Sequence, residues 1–313
     1  MNATPHEHDH GHAHGHGHGH AADATGRVFL VAVFLNLAFV VIEVGAGLYA
    51  NSLALLADAG HNFGDVIGLV LSWIALVLAR RKPSERLTYG LRGTTILAAL
   101  ANAMLLLVAV GGIVWEAVRR LAEPTAVSGP MMIGVAAVGV LINGATALML
   151  MRGRKADLNV RGAYLHMVAD AGVSVGVVLA GIGMWWTGWA WLDPAIGLVI
   201  GLVIFAGTWG LLKESVLLSL HAVPNGIAPA EVLTYLRGLP EVCEVHDLHI
   251  WGMSTTEVAL TVHLVTPQGH PGDAFLDRVA EELAHRFGIA HTTVQIELGS
   301  PGVPCRLAPQ DVV

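Results

Sequence analysis

The sequence predicts an α-helical membrane protein in which six transmembrane helices precede a small cytosolic α/β domain. Of its 313 residues, 54% are hydrophobic and only 13% are charged, and the mean hydropathy is +0.61. Soluble domains carry about 25% charged residues, so the composition excludes an ordinary soluble protein. The apolar residues are concentrated in long runs up to residue 213, and the chain after that point has the pattern of a soluble domain.

Each apolar run is long enough to cross a hydrocarbon core, which takes about 20 helical residues. The six predicted spans are residues 28–49, 52–78, 94–118, 131–151, 162–184 and 190–212. Basic residues are distributed unequally between their flanks. The flanks on the N-terminal side of the membrane carry eleven Lys and Arg, whereas the opposite flanks carry only Arg119 and Arg120. This bias predicts that both termini lie in the cytosol.

The chain divides into four segments. Residues 1–26 hold eight histidines interleaved mainly with glycine. This composition predicts a disordered arm that collects metal weakly, and no apolar run precedes Arg27 as a cleaved signal would require. Residues 27–213 form the six-helix transmembrane domain, residues 214–300 the cytosolic α/β domain, and residues 301–313 a C-terminal tail.

The cytosolic domain is predicted from the order of its periodic segments. A helix, two strands, an amphipathic helix and a third strand follow one another, which gives an α-β-β-α-β domain with helices on one face of a three-stranded sheet. The chain has two cysteines, Cys243 and Cys305. These are too few for a disulfide framework and suit a reduced cytosolic environment.

Two membrane spans repeat the pattern His-x-x-x-Asp, at His61 and Asp65 and again at His166 and Asp170. Residues four apart share a helix face, so each pattern sets an imidazole beside a carboxylate. Ionisable residues in lipid indicate a functional site. Two such faces turned toward each other would offer two nitrogens and two oxygens, which is a tetrahedral set of the kind Zn²⁺ prefers. The alternative for either pair alone is a polar group satisfied by a neighbouring helix.

Other polar residues in the spans have weaker interpretations. Asp58 shares a helix face with His61 and Asp65, and is predicted to support the ligands or to belong to a proton path. Glu43 in the first span has the same interpretation, although interhelical hydrogen bonding would explain it equally well. Asp193 opens the last span, where capping of a helix N-terminus is expected.

Three other classes of protein compete with a metal carrier. A passive metal channel is disfavoured because a closed four-ligand site must move to release its ion. A membrane metallo-hydrolase needs an open metal position and a base, commonly in an HExxH motif, and this motif is absent from the sequence. A membrane metal sensor would leave the two intramembrane pairs unexplained. The sequence has no basic patch of the kind that would predict nucleic-acid binding.

The residues also match a known family. The chain resembles the cation diffusion facilitators over residues 27–300, in NSLALLADAGHNFGD, YGLRGTTILAALANA, LNVRGAYLHMVADAGVSVGV, GWAWLDPAIGLVIGL, and VHDLHIW with LTVHLV. This resemblance implies a proton-coupled exporter of divalent metals that is a homodimer, with a ferredoxin-like, metallochaperone-like cytosolic domain. It implies no enzymatic activity and no cofactor, with Zn²⁺ as transported substrate and as regulatory ligand. It further implies a bacterial plasma-membrane protein.

The resemblance also assigns site residues. It implies that His61, Asp65, His166 and Asp170 form a transport site of the zinc type. A second metal site in the cytosolic domain would use His246, His263, Gln295 and Glu297, although Gln295 is a poor zinc ligand where relatives often have His. His249 is expected to face away from His246 by strand alternation, and His221 is a further candidate. Thr95 stands where relatives commonly have Glu, which removes a charge partner for Arg92.

Overall fold

A computed structural model describes residues 37–123, 125–151, 158–299 and 305–308, and the side chains of residues 158–163 lie outside this description. The predicted histidine-rich arm also lies outside the described residues. Within them a shorter apolar helix and five helices of membrane-spanning length are followed by α-β-β-α-β, which confirms the predicted fold class.

Five of the described helices are long and apolar enough to cross a membrane. They are α2 (Leu53–Ala79), α3 (Thr94–Ala122), α4 (Gly129–Leu150), α5 (Leu158–Thr187) and α6 (Leu192–Ser219). The first predicted span is described from Leu37 onward, as the shorter apolar helix α1 (Leu37–Ala50). Helix α6 runs on to Ser219, beyond residue 214, where the soluble pattern begins in the sequence.

The transmembrane helices pack in a bundle in which α2 contacts α3, α5 and α6, and α4 lies along α5. Small residues and branched aliphatic side chains fill its core. The buried cluster consists of Ala54, Leu55, Ala57, Val110, Met132, Ala136, Val177, Ala180, Met184, Ile200 and Ile204. Gly64 lets α3 approach α2 closely, because a methyl group there would overlap the side chain of Leu106. Helix association in lipid depends on such close packing, since lipid is as apolar as the side chains.

The start of α2 is hydrogen-bonded to a buried carboxylate of α6. Asp193 accepts hydrogen bonds from the backbone N–H groups of Leu53 (2.7 Å) and Ala54 (3.1 Å), and from the hydroxyl of Ser52 (2.6 Å). Arg120 lies 4.0 Å from the same carboxylate. Asp193 therefore caps the N-terminus of α2, a neighbouring helix, in addition to lying in the first turn of α6. Free N–H groups at a helix start need an acceptor in lipid, which explains a buried charge at this position.

The C-terminal domain is a three-stranded sheet with two helices on one face. Its elements are α7 (Pro229–Arg237), β1 (Glu244–Gly252), β2 (Val258–Val265), α8 (Asp273–Phe287) and β3 (His291–Glu297). The strand order is β1-β2-β3, with β1 and β2 antiparallel and β2 and β3 parallel. Apolar residues of both helices and all three strands form its core. The opposite face of the sheet, which we call the outer face, carries the polar side chains.

The loop between α2 and α3 contacts the turn between β1 and β2. Arg92 forms a salt bridge of 2.9 Å with Glu257, and the hydroxyl of Thr95 accepts a hydrogen bond of 3.1 Å from the backbone N–H of Thr255. Thr95 offers Arg92 no carboxylate, and Glu257 supplies a charge partner from another element. The contact places the C-terminal domain on the same side of the bundle as the α2–α3 loop.

Replacement of Asp193 by Ala should lower the stability of the detergent-solubilised protein by about 1–3 kcal/mol, because buried N–H donors lose their acceptor. Thermal unfolding followed by tryptophan fluorescence measures the change. Ser128→Ala is the matched control, since Ser128 is the N-cap of α4 but makes no side-chain capping bond. Equal melting temperatures for Asp193→Ala and the unmodified protein would contradict the capping role.

Candidate metal-binding sites

The two His-x-x-x-Asp pairs meet inside the helix bundle. His61 Nε2 lies 3.3 Å from Asp170 Oδ1 and 3.8 Å from Asp65 Oδ2. His166 Nε2 lies 3.1 Å from Asp65 Oδ2 and 3.6 Å from Asp170 Oδ2. Each imidazole is thus closer to the carboxylate of the other helix than to that of its own helix. The ligand atoms of His61, His166 and Asp170 all lie within 4.8 Å of one another, and Asp65 reaches both histidines.

Each nitrogen–oxygen separation is close to the length of an edge of a small coordination polyhedron, and Asp170 faces His61 with Oδ1 and His166 with Oδ2. A tetrahedral zinc ion with bonds of about 2.0–2.2 Å to N and O has ligands about 3.3–3.6 Å apart. The four nitrogen–oxygen distances run from 3.1 to 3.8 Å. The rings of His61 and His166 stand edge to face, with centroids 5.9 Å apart.

The cluster lies at depth but remains open on one side. The pattern on α2 lies about 15 Å along the axis from Leu53, at 1.5 Å per residue, which is near the middle of a hydrocarbon core about 30 Å thick. The Asp170 side chain is only 2% exposed, whereas that of His166 is 42% exposed. A cation could therefore reach the cluster past His166 while Asp170 anchors its inner side.

A second polar cluster lies beside the first. Glu43 and Asp58 are fully buried, and one carboxyl oxygen of each has no hydrogen-bond partner among the described residues. Asn62 donates a hydrogen bond of 3.3 Å to Glu43, and Ser174 donates one of 3.1 Å to Asp58. Asn62 and Ser174 follow His61 and Asp170 in sequence, so the two clusters share helices α2 and α5. Neither Glu43 nor Asp58 joins the four side chains as a further ligand.

The outer face of the C-terminal sheet carries another group of ligand types, which we call the sheet cluster: His246, His263, Glu297 and Cys305. One ligand atom from each lies within 4.8 Å of all the others. His246 Nε2 is 3.4 Å from Glu297 Oε2, and His263 Nδ1 is 2.9 Å from Glu297 Oε1. Cys305 Sγ lies 3.6 Å from His263 Nδ1. Three of these residues are on the sheet, whereas Cys305 comes from the segment after it.

Strand register explains why the sheet cluster forms. His246 pairs with His263 across β1 and β2, and His263 pairs with Gln295 across β2 and β3. Gln295 lies on the outer face and donates a hydrogen bond of 3.0 Å to Glu297. Gln295 therefore helps to orient the carboxylate of Glu297.

The expected orientation of His249 is wrong. A β-bulge between His246 and His249 adds one residue to β1. His246 pairs with His263 on β2, and His249, three residues later, pairs with Thr261, which is only two residues from His263. The extra residue, Asp247, has a positive φ of 51°. His249 therefore returns to the outer face, where its ring lies 2.9 Å from Asp247. His221, at the end of α6, belongs to neither group of described ligand atoms.

Charge within the sheet cluster follows from its contacts. Burial raises the pKa of Glu297, but hydrogen bonds from Cys305 and Gln295 and the nearby His246 and His263 outweigh it, so the pKa lies below its usual value. The hydrogen bond to Glu297 raises the pKa of the Cys305 thiol. The Cys305 thiol therefore acts as the hydrogen-bond donor and the Glu297 carboxylate as the acceptor.

Sequence reasoning did not find Cys305, which was assigned to a C-terminal tail. The signal that could have identified it is modest: a cysteine follows the strand that carries Glu297, in a chain with only two cysteines. The number of residues in an irregular segment does not indicate which part of the sheet that segment contacts. The contact with His263 is a product of the tertiary structure.

Comparison with known proteins identifies the family. The family model described as cation efflux transmembrane domain matches residues 29–218, and that described as cation efflux protein, cytoplasmic domain, matches residues 224–298. The chain belongs to the cation efflux family. The resemblance to the cation diffusion facilitators is thereby confirmed.

Named relatives cover nearly the whole chain. The metal cation efflux system protein CzcD of Cupriavidus metallidurans is 38% identical, over 90% of this chain and 88% of its own length. The zinc transporter ZitB of Escherichia coli is 37% identical over 88% of both chains. A cadmium, cobalt and zinc/H(+)-K(+) antiporter of Bacillus subtilis is 32% identical, over 88% of this chain and 89% of its own. The solved metal-bound C-terminal domain of CzcD is 37% identical and covers 23% of this chain and 100% of its own, with a TM-score of 0.22.

The geometry predicts that Asp170→Asn costs the protein one bound zinc ion per chain, because the buried carboxylate faces both histidines. Zinc titration against a fluorescent chelator, on a chain truncated before residue 27 to remove the histidine-rich arm, counts the ions. His285→Ala is the control, since His285 is 78% exposed outside both clusters. Retention of every ion by Asp170→Asn would contradict the assignment.

Proposed function

We propose that this protein exports divalent transition-metal cations from the cytosol in exchange for protons. Zn²⁺ is the main substrate, and Cd²⁺ and Co²⁺ are further substrates. The observation that carries the proposal is the meeting of His61, Asp65, His166 and Asp170 in the membrane interior. Relatives named as zinc transporters and as a cadmium, cobalt and zinc antiporter support the same class of substrate.

The donor set favours zinc over harder cations. Imidazole nitrogen suits Zn²⁺, Co²⁺ and related metals, whereas carboxylate and water sets suit Mg²⁺ and Mn²⁺. Two nitrogens and two oxygens, one from each of the four side chains, would provide a complete shell for Zn²⁺. A closed shell holds the ion firmly until the helices move, which supports alternating access over free conduction through a channel.

Proton exchange follows from the cross-helix contacts. When metal leaves, a protonated His61 would pair with Asp170 and a protonated His166 with Asp65, at the observed distances of 3.3 and 3.1 Å. Protons and metal thus use the same four side chains and exclude each other. Because metal binds deprotonated ligands, loading expels protons and proton return expels metal. A carrier that moves with one or the other is an antiporter.

Glu43 and Asp58 are proposed to hold a proton beside this site. Their buried contact needs a shared proton, since two ionised carboxylates in hydrocarbon would repel each other. Ser174 and Asn62 hydrogen-bond to them and lie on the two helices that carry the ligands. A proton released from the ligands could therefore be taken up by this nearby carboxyl pair without crossing lipid.

The protein is proposed to lie in the bacterial inner membrane as a homodimer with both termini in the cytosol. The unequal distribution of basic residues supports this orientation. The contact between Arg92 and Glu257 supports it as well, because it joins a basic flank to the C-terminal domain. The family model ZT_dimer, which matches that domain, supports dimerisation. The sheet cluster is proposed to bind metal as a regulatory ligand.

Proteoliposomes with an acidic interior should take up external Zn²⁺ faster than liposomes at equal pH, because outward proton flow drives metal inward. Asp65→Ala and Asp170→Ala should abolish the uptake, and His285→Ala should leave it unchanged. The fluorescence of a zinc-sensitive dye trapped in the lumen gives the rate of zinc uptake. Uptake at the same rate with and without the pH gradient would contradict antiport.

Alanine at both His246 and His263 should raise the zinc concentration needed for half-maximal transport more than it lowers the maximal rate. The physical reason is that both residues belong to the C-terminal domain and lie outside the transport site. Initial rates over a range of zinc concentrations separate the two effects, with His291→Ala as a control on β3. A complete loss of transport in the double variant would instead make the domain structural.

A further inference from the structure

We propose that Arg120 closes the transport pathway on the side of the membrane opposite the C-terminal domain, which we call the far side. This closure must open before metal is released there. The inference rests on the proposed export function. Arg120 is a positioning residue, because it acts by holding helix ends together and not by binding the metal.

The course of the helices shows which of their ends lie on the far side. The loop after α2 contacts the C-terminal domain through Arg92 and Glu257, so the start of α2 lies on the far side. Helix α6 ends at Ser219, next to the C-terminal domain in the chain, so its start lies there too. The end of α3 meets both of these helix starts, as its contacts with them show.

Burial in α2 is concentrated between the metal ligands and the far side. Eight of its nine buried residues come before Asp65, and only Ala75 comes after it. Ala54, Leu55 and Ala57 are fully buried and belong to the packed core of the bundle. The far-side half of α2 is therefore closely packed, and the half that leads to the C-terminal domain is not.

Helix α5 shows the same asymmetry. Residues 164–169, which precede Asp170, are all at least partly exposed, whereas Val177 and Ala180, on the far side of it, are buried. His166 lies in the exposed part, with 42% of its side chain accessible. The bundle is thus closed from the ligands to the far side and more open toward the C-terminal domain. A carrier in this conformation loads its ion from the side of the C-terminal domain.

Three hydrogen bonds tie the turn between α1 and α2 to the end of α3 and the loop after it. Arg120 Nη1 donates to the backbone carbonyl of Asn51 at 2.6 Å. The Asn51 side chain donates to the carbonyl of Ala126 at 3.4 Å. The N–H of Ser128 donates to the carbonyl of Ala50 at 3.1 Å. We call these five residues the far-side lock.

Arg120 is the charged member of the far-side lock. Its side chain is only 11% exposed, and its Nε donates a hydrogen bond of 2.8 Å to Glu116. Hydrogen bonds from a charged donor are about twice as strong as neutral ones, so the bond to Asn51 is the strongest of the three. Loss of the Arg120 side chain therefore weakens the closure more than loss of either other bond.

Asp193 keeps Arg120 in place without being released when the lock opens. At 4.0 Å the carboxylate attracts the guanidinium but is too far for a hydrogen bond. Its hydrogen bonds go to the start of α2 instead, at Leu53 and Ala54. Arg120 thus separates from the turn while the N-terminus of α2 stays capped, and the far-side lock opens without the loss of helix ends.

A buried position in the closed half of α2 tests the proposal. The thiol of Ala57→Cys should react slowly with a membrane-impermeant maleimide added to intact cells. Arg120→Gln should speed this reaction by about fivefold or more, since one charge-assisted hydrogen bond no longer holds the closed form. Arg119→Gln is the matched control, because Arg119 binds the same Glu116 but is 63% exposed. Equal rates with Arg120→Gln and Arg119→Gln would overturn the proposal.

The native cysteines check the direction of labelling. Cys243 and Cys305 belong to the chain after α6, on the side opposite the far side, and should stay unlabelled in intact cells. Labelling of Cys243 in intact cells would show that the far side faces the cytosol, which would overturn closure on the release side.

Zinc uptake by inside-out vesicles separates a gate from a loss of fold. A weaker lock lowers the fraction of carriers open toward the C-terminal domain, and the apparent KM for zinc rises as that fraction falls. Arg120→Gln should therefore raise KM by about fivefold or more and lower the maximal rate less, whereas Arg119→Gln should change neither. A fall in the maximal rate at an unchanged KM would make Arg120 merely structural and overturn the gate.

Labelling and transport report separate failures. The reaction at residue 57 requires no zinc transport, so its dependence on Arg120 would uphold the lock even if the protein carried no zinc. Zinc uptake driven by a pH gradient, together with equal labelling in both arginine variants, would uphold the export function and overturn the lock.

Discussion

The cost of ionisable groups in hydrocarbon governs the arrangement of this protein. An imidazole or carboxylate that faced lipid would lose its hydration without compensation, so each must find a partner inside the bundle. His61 and His166 find the carboxylates of the opposite helix, and Asp193 finds the free N–H groups at the start of α2. The bundle is thus held by polar contacts between helices as well as by its packed core.

The same constraint gives the four-residue cluster its chemical character. Side chains that must be neutralised can be neutralised either by protons or by a divalent cation, and both use the same atoms. Gly64 lets α3 approach α2 closely, on the helix that carries His61 and Asp65.

The two clusters are connected through a short series of elements. His246 and His263 lie on strands β1 and β2, and the turn between these strands contacts the loop that joins α2 to α3 through Arg92 and Glu257. Helix α2 carries His61 and Asp65. Metal in the sheet cluster would therefore bind strands whose connecting turn contacts the transmembrane domain directly.

The sequence by itself determined the membrane spans, the order of elements in the C-terminal domain and the four intramembrane ligand candidates. Each depends on local periodicity: apolar runs of membrane length, alternation in strands, and a spacing of four that puts His61 beside Asp65 on any helix. Only the tertiary structure decided that His61 lies closer to Asp170 than to Asp65, and that Asp193 caps a helix far away in sequence. The bulge at Asp247 and the return of Cys305 to His263 likewise depend on strand pairing and on an irregular segment, whose paths arise from long-range packing that no local pattern encodes.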